Sequence, residues 1–432
     1  MDGEENLKAR MEAVLPQENV ALVKKVGAFA DRLNIGIYLV GGIVRDIILG
    51  VTGSDLDIVV EGNGLFFARY LSEAFSARLS IYERFRTASV YFQEGLKIDV
   101  ASARTEVYPY PAALPIVKNG SLKQDLFRRD FTINAMALGI NQSNFGRLID
   151  FFSGKFDLEQ KSIRVLHKKS FLEDPTRIIR AVRFEQRYKF TIEPQTLYLA
   201  YQAINNKMIE ELSSARLKEE LVLLIEEADP APSLERLVDL GIWEQIFPET
   251  SFTEEIKSFF REATVVLKEM RIFFPKIDKL LYYLIILCAD LSEQEIGQIV
   301  NRMQFPKNYE RIINHTGHIK RKFFVGQGLA ASLEIPSAWH NFLGSLPGES
   351  ISYLYLISKN ENREKIKNYL AIRKTVVMET TGKDLMNFGL KPGPKYRKLL
   401  DVILAARLDG LVHNKEDEIK LILRMVANER NG

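Results

Sequence analysis

At 432 residues, with 46% hydrophobic and 27% charged side chains, the chain is longer than one hydrophobic core usually holds and ordinary in composition for a globular protein. A formal net charge of +3 is only mildly basic, so any nucleic-acid surface must come from local clustering of cations. The single cysteine excludes an intrachain disulfide and cysteine-based zinc sites, no apolar run approaches the roughly 18 residues that span a bilayer, and the N-terminus is acidic; a cytoplasmic protein of two or more domains with no membrane contact is expected.

Residues 18–33 have helical periodicity and lead into a strand over 37–40. Gly41 and Gly42 then form a turn that lets backbone approach a ligand and aims the N–H groups of a short following helix at an anion such as a triphosphate. That helix carries Arg45, placed to contact phosphate, and Asp46, placed to brace the next strand. This strand opens on Asp55 and Asp57, whose side chains share one face because strand residues alternate. Two carboxylates so close repel each other, and a hard cation such as Mg²⁺, held by one or two carboxylates plus substrate phosphates, is the simplest neutralising partner.

Asn63 caps a predicted helix through Phe75, after which a strand over 78–82 and a hairpin of 88–92 with 96–100 extend the same sheet. Asp99 stands mid-strand and is a candidate third carboxylate. From Arg104 to Lys123 the pattern dissolves around three prolines, which predicts a long functional or mobile loop. Residues 124–137 resume as a helix, a strand over 148–152 closes the first domain, and a short strand covers 163–166. Beyond that, helical period dominates, beginning with 174–188, 193–206, 213–227, 231–240 and 253–270.

Three clusters carry chemistry. Arg128-Arg-Asp130, beside apolar Phe131, Ile133 and Met136, suits ribose or phosphate through charge-assisted hydrogen bonds, with Asn134 on the same segment. In Glu173-Asp-Pro-Thr-Arg177, helix capping alone explains Asp174 and Pro175. It does not explain Arg177, Arg180 and Arg183, which share one helix face and repel one another unless an anion or base edge meets them. An Asp beside an Arg can accept from an exocyclic amine while donating to a ring acceptor, the pattern shared by cytosine and adenine. Basic residues interleaved with aromatics at Lys320, Arg321 and Lys322, and at Lys391, Lys395, Arg397 and Lys398, are candidates for tracking an RNA backbone; His315 and His318 read as surface.

Taken in order, these motifs resemble those of the class II tRNA nucleotidyltransferases, the CCA-adding and A-adding enzymes, with bacterial poly(A) polymerases as relatives. Leu39-Val-Gly-Gly-Ile-Val-Arg-Asp46 with Asp55-Leu-Asp57 is similar to the catalytic motif, Arg128-Arg-Asp-Phe-Thr-Ile-Asn-Ala-Met-Ala137 to the ribose-binding motif, Glu173–Arg177 to the base-templating motif, and Ser213–Glu220 to the helix motif that follows. The segment Gly382–Pro394 resembles part of the family's helical tail. The resemblance implies an α+β fold: a polymerase β-like head with a small mixed or antiparallel sheet, followed by a long all-helical body. The expected division is a catalytic head over 1–152, a base-recognising neck over 153–227, a body over 228–350 and a tRNA-binding tail over 351–432.

It further implies template-independent addition of C, C and A to tRNA from CTP and ATP, with Asp55 and Asp57 holding two Mg²⁺ ions and pyrophosphate released. In that scheme Gly41, Gly42, Arg45, Arg128, Asp130, Asn134, Asp174, Arg177, Arg180 and Arg183 form the nucleotide site. Same-fold alternatives are A-only or CC-only addition and poly(A) synthesis; a catalytically silent RNA-binding protein is the alternative from another class.

Overall fold

The computed structural model describes residues 5–52, 55–325, 333–388 and 393–430, with the side chains of 94, 323–325, 394, 395 and 427–430 left aside. The chain divides into two compact units, one formed by 1–220 with 236–246 and the other by 221–235 with 247–432. The first therefore takes in the expected head and most of the expected neck. Among the described residues no helix is long and apolar enough to cross a membrane.

In the first unit, helices α1 (Lys8–Val14) and α2 (Gln17–Arg32) precede strand β1 (Ile37–Val40), helix α3 (Gly42–Leu49), strand β2 (Leu56–Val60) and helix α4 (Gly64–Ala74). Strands β3 (Arg78–Tyr82), β4 (Thr87–Tyr91) and β5 (Lys97–Ser102) follow. With β8 (Ala137–Gly139) and β9 (Leu148–Ile149) these strands build one sheet in the order β3-β4-β5-β2-β1-β8-β9. All neighbours are antiparallel except β2 and β5, which run parallel and set Asp57 directly beside Asp99. The strands are held by burial: Ile37, Leu39, Ile58, Val60, Ile98 and Val100 are almost fully enclosed, each such side chain contributing about 1.5–3 kcal/mol. Helix α2 lies so close to the sheet that a Cβ on Gly27 would sit 1.9 Å from the Ile140 carbonyl oxygen.

Two expectations are corrected here. Residues 104–123 are no structureless loop: β6 (Arg104–Val107) and β7 (Ile116–Asn119) pair antiparallel in a separate hairpin, and Ser121 with Gln124 forms a capping box at the start of α5 (Leu122–Phe127). Nor is 124–137 one helix. After α5 the chain turns extended at Phe131, which bridges to Val165, makes a single 3₁₀ turn over Thr132–Asn134 and enters β8.

Next come α6 (Gly154–Glu159), β10 (Ser162–Ile163), α7 (Ser170–Glu173) and α8 (Thr176–Tyr188). They are followed by β11 (Thr191–Ile192), α9 (Pro194–Asn205), α10 (Ser214–Ile225), α11 (Ala231–Asp239) and α12 (Trp243–Ile246). The second unit is helical: α13 (Glu254–Met270), α14 (Lys279–Cys288), α15 (Glu293–Arg302), α16 (Lys307–Val325) and α17 (Pro336–Leu343). The remaining helices are α18 (Gly348–Leu356), α19 (Asn360–Thr375), α20 (Gly382–Asn387), α21 (Pro394–Leu408) and α22 (Lys415–Arg430). Its central helix α14 is buried on every side, including Cys288, whose thiol is pushed up by burial into the protonated, unreactive form. Near the C-terminus Leu385, Leu399, Ile403 and Ile422 make a small core, with buried Glu418 accepting from the Glu379 and Thr380 N–H groups and from Arg407.

Candidate active site

A cavity of about 490 Å³ opens in the first unit where the β1–α3 turn, β2, the β6–β7 hairpin, the segment after α5 and helix α8 converge. It collects all ten nucleotide-site residues expected from sequence, Gly41, Gly42, Arg45, Arg128, Asp130, Asn134, Asp174, Arg177, Arg180 and Arg183, together with Asp57 of the expected metal pair. Residues 93 positions apart in sequence, such as Gly41 and Asn134, thus line one wall.

The turn explains its own glycine. Gly41 has φ of +78°, a backbone conformation that strains any side chain, and a Cβ there would lie 2.7 Å from Nη1 of Arg129 and push the guanidinium aside. Arg129 in turn donates to Asp125, and its positive charge acts on Asp57. It is a cavity residue that the expected set passed over, although it stands inside the Arg128-Arg-Asp130 motif.

Asp57 sits at the cavity mouth and Asp55 is exposed just before β2. Surrounding protein desolvates Asp57 and the neighbouring charge of Asp99 adds to that, so its carboxyl is raised above the ordinary aspartate range; Arg129 pulls the other way and Asp55 pushes up again. The carboxylates of Asp55 and Asp57 are hard oxygen donors, a set that fits a divalent cation. Asp99, the expected third catalytic carboxylate, is held within the sheet: Oδ1 accepts from Ser89 Oγ at 2.5 Å and Oδ2 from Lys97 Nζ at 2.7 Å. Among the described residues no group of three or more acidic, histidine or cysteine side chains is assembled to hold a metal, so Asp99 bears on the site through its charge.

Behind the turn runs a chain of paired polar groups. Arg45 is buried, donates to Asp46 at 2.9 Å and to Asn134 Oδ1 at 2.5 Å, and is flanked by the rings of Phe184 and Tyr188. Asp46 is therefore engaged by Arg45, and among the described residues its side chain has no bond to the carboxylate strand. Asn134 passes the link on, donating to Asp130 Oδ1 at 3.0 Å, and Asp130 Oδ2 accepts from Arg180 at 2.6 and 3.0 Å. Burial alone would raise Asp130, but Arg180, Asn134 and the Phe131 N–H outweigh it and hold the carboxyl down at about 2.

Arg180 also reaches Glu220 on α10 at 3.2 Å, and Arg183 lies 3.5 Å from the same carboxylate. The two acids of this network shift in opposite directions. Burial raises Glu220 more than its longer contacts lower it, whereas Asp130 holds the shorter, two-pronged bond, and we take Asp130 as the main counter-ion of Arg180. Protein carboxylates thus meet the arginine row of α8, so the row does not by itself require a ligand. Arg177 is satisfied differently, donating to Ser170 Oγ at 2.7 Å and to the Arg128 carbonyl at 2.8 Å.

Asp174 is the most informative residue. Among the described residues all its side-chain hydrogen bonds converge on one oxygen: Oδ1 accepts from Thr176 N at 3.0 Å, Thr176 Oγ at 2.5 Å and Arg216 Nη2 at 2.6 Å. Arg216 also donates through Nη1 to the Ala112 carbonyl at 2.8 Å, tying the hairpin tip to the same carboxylate. Arg128 is locked by Asp125 at 2.8 and 3.1 Å and by Glu106 at 2.9 Å. Glu106 also takes Arg104 and Tyr108, so the hairpin forms a wall of the cavity. Glu106, Tyr108, Asp125 and Arg216 were missed from sequence, because the prolines hid the hairpin and no spacing rule links Arg216 to Asp174.

Of the RNA-contact candidates, Lys320 is turned to Asp290, reaching both oxygens at 2.7 and 2.6 Å, so it is occupied within the protein. Arg321 and Lys322 are exposed on α16, and Arg397 and Lys398 are exposed on α21. Lys391 and the side chain of Lys395 lie outside the described residues.

Residues 37–164 match the family model of the poly A polymerase head domain, and 189–253 match that of the probable RNA and SrmB-binding site of polymerase A. The chain is 34% identical to the A-adding tRNA nucleotidyltransferase of Halalkalibacterium halodurans over 418 residues, 96% of this chain and 95% of that one. It belongs to the tRNA nucleotidyltransferase family. A second family member, the A-adding tRNA nucleotidyltransferase of Geobacter sulfurreducens, is 35% identical over 436 residues, 98% of this chain; the chain spans only 50% of that relative's length. The Thermotoga maritima CCA-adding enzyme complexed with tRNA CCA superposes with a TM-score of 0.81 at 31% identity, covering 99% of this chain and 100% of that one. The fold expected from the sequence, a mixed-sheet head with a largely helical body, is the fold of these enzymes. The family is generally dependent on a divalent metal.

Proposed function

We propose that this chain transfers a nucleotide from ATP to the 3′ end of a tRNA ending in CC, releasing pyrophosphate. Terminal A addition is the step that relatives named A-adding and the structure named CCA-adding have in common. The carrying observation is the polarised Asp174: three donors anchor Oδ1, which leaves Oδ2 as the acceptor for the exocyclic amine of adenine. Arg177, fixed by Ser170 and the Arg128 carbonyl, keeps its remaining donors for a ring nitrogen. The same pair accepts cytosine, so addition of C, C and A from CTP and ATP is the second reading, favoured by the likeness to the CCA-adding enzyme. We place the reaction in the cytoplasm, where its tRNA substrate would be met.

Asp55 and Asp57 are the residues that would hold Mg²⁺, with the substrate phosphates and water completing the oxygen shell. When bound, a pair of such ions would lower the barrier to in-line displacement by stabilising the attacking and leaving oxygens. The chain's own part is binding and orientation. The Gly41–Gly42 turn and the α3 N–H groups face the triphosphate, Arg129 and Arg45 supply positive charge beside it, and Asp130, kept ionised by Arg180, offers its carboxylate to the ribose hydroxyls. The 104–119 hairpin, tied to Asp174 through Arg216, positions the base-reading carboxylate.

Transcripts ending at the discriminator base, at C and at CC, each offered one labelled nucleotide at a time, give a product ladder that tests this. AMP added to the CC transcript supports the reading. C addition to shorter ends widens it to CCA, and a long adenylate ladder or no product overturns it.

A further inference from the structure

Helix α16 has two unlike faces. Tyr309, Ile313, Thr316 and Gly317 pack inward, Thr316 bonded to Ser350 and Gly317 so near α14 that a Cβ would lie 2.4 Å from the Ala289 carbonyl oxygen. Lys320 lies on this side, paired with Asp290. The opposite face carries Lys307, Arg311, His315, His318 and Lys322, at the 4, 4, 3, 4 spacing that places side chains on one helical stripe. All five are exposed, and among the described residues none of their side chains has an ion-pair or hydrogen-bond partner. Glu310, the acidic residue of this helix, is turned toward Gly297 on α15.

Lys307 and Arg311 stand one turn apart on this stripe, and like charges so spaced repel by a few tenths of a kcal/mol per pair. Elsewhere in the chain such rows are met: the arginines of α8 have Asp130 and Glu220. From Lys307 to Lys322 the stripe runs about 22 Å at ~1.5 Å per residue. On one flank it borders a cavity of about 660 Å³ whose lining combines Arg311, His315 and Ser345 with an apolar floor of Ile312, Leu346 and Pro347. A polyanion with sugar and base units beside its charges is complementary to both features.

We propose that this face of α16 is a phosphodiester track for the tRNA substrate, with the flanking cavity seating one nucleoside beside it. The proposal rests on the nucleotidyltransferase reading and extends it to a helix beyond residues 189–253, where the RNA-binding family model ends. It also moves the contact from Lys320 to the opposite side of the same helix.

Binding of a tRNA transcript ending in CC, measured by fluorescence anisotropy without nucleotide or metal from 50 to 200 mM salt, tests the track. Each phosphate contact contributes about −0.7 to −0.9 to the slope of log K against log salt. Arg311→Ala with Lys322→Ala should shallow the slope by about 1.4 to 1.8 and weaken binding about tenfold or more, while Arg311→Lys with Lys322→Arg keeps both near wild type. Lys320→Ala should leave the slope unchanged, and Ser345→Trp should weaken binding at unchanged slope by filling the cavity. An unaltered slope and affinity in the Arg311/Lys322 double-alanine variant overturn the track, and wild-type affinity in Ser345→Trp overturns the nucleoside seat. Because this measurement needs no turnover, a wild-type enzyme that binds tRNA but transfers nothing would overturn the function reading instead.

Discussion

The chain uses its cations in two opposite ways. Around the first unit's cavity the guanidinium groups of Arg45, Arg128, Arg177 and Arg180 are each buried or half-buried and fixed by side-chain or backbone acceptors, so their positions are set before a ligand arrives. On α16 in the second unit five basic or imidazole side chains stand exposed, without hydrogen-bond or ion-pair partners among the described residues. Preorganised cations cost little to reorient and suit discrimination between similar ligands. Loose surface cations suit a long, repetitive anion and give affinity that falls with salt. The difference teaches that positive charge alone does not mark a functional residue: what its neighbours do with it decides whether it recognises, positions or steers.

The largest test of this contrast is metal removal. A chelator should suppress transfer by about 10³-fold or more, the scale of losing electrostatic stabilisation at the reacting centre, while the salt slope of tRNA binding stays put. A slope that changes together with activity would mean that one surface serves both purposes.

A smaller effect is expected at the base-reading carboxylate. Asp174→Ala and Arg216→Ala should each lower discrimination of ATP over GTP and UTP by about 10- to 100-fold, corresponding to ~1–3 kcal/mol for a lost base contact. Arg216→Lys, which can keep the bond to Asp174 but not the second one to Ala112, should fall between. Single-turnover incorporation of each nucleotide reads this directly. Reduced rate with intact selectivity would return Asp174 to a helix-capping role.

Smaller again is a stability effect beside the cavity. His167 is held down to about 4, chiefly by burial and then by the positive charges of Arg177 and Lys169, although Glu173 lies 3.5 Å away. We weight burial above that contact, so the ring is neutral at pH 7 and the pair is no ion pair there. Between the ordinary value of 6.5 and about 4 the unfolded chain binds a proton that the folded chain refuses, so stability falls as pH drops through this window, by up to about 3 kcal/mol. His167→Phe should flatten that part of the curve in urea denaturation at pH 7, 6, 5 and 4. An unchanged pH dependence would show that the imidazole is not the group responsible.

Much of this arrangement was legible because it is written in local patterns. Strands β1, β2, β4 and β5 follow from alternation of apolar residues, the α3 turn from paired glycines, and α8 from a capping Asp-Pro start followed by helical period. What stayed hidden depends on partners distant in sequence. The β6–β7 hairpin carries prolines that read as a loop, yet its tip is fixed by Arg216 and by the bond from Ala112 N to the Leu172 carbonyl. Residues 124–137 have helical spacing, but Phe131 and Thr132 bond instead to Val165 and Arg164, and tertiary pairing overrides local preference. Strand geometry correctly brought Asp99 beside Asp57, while Ser89 and Lys97, which occupy its oxygens, come from the sheet register and from its own strand.

The opening carboxylates remain the point on which everything else depends. The most direct measurement follows pyrophosphate release and labelled AMP incorporation together, with tRNA ending in CC, ATP and Mg²⁺, for the wild type and Asp57→Asn side by side. The wild type should release one pyrophosphate per AMP added, and the variant should lose both signals while tRNA binding persists. Pyrophosphate release at the wild-type rate by Asp57→Asn, or none from the wild type, would contradict this.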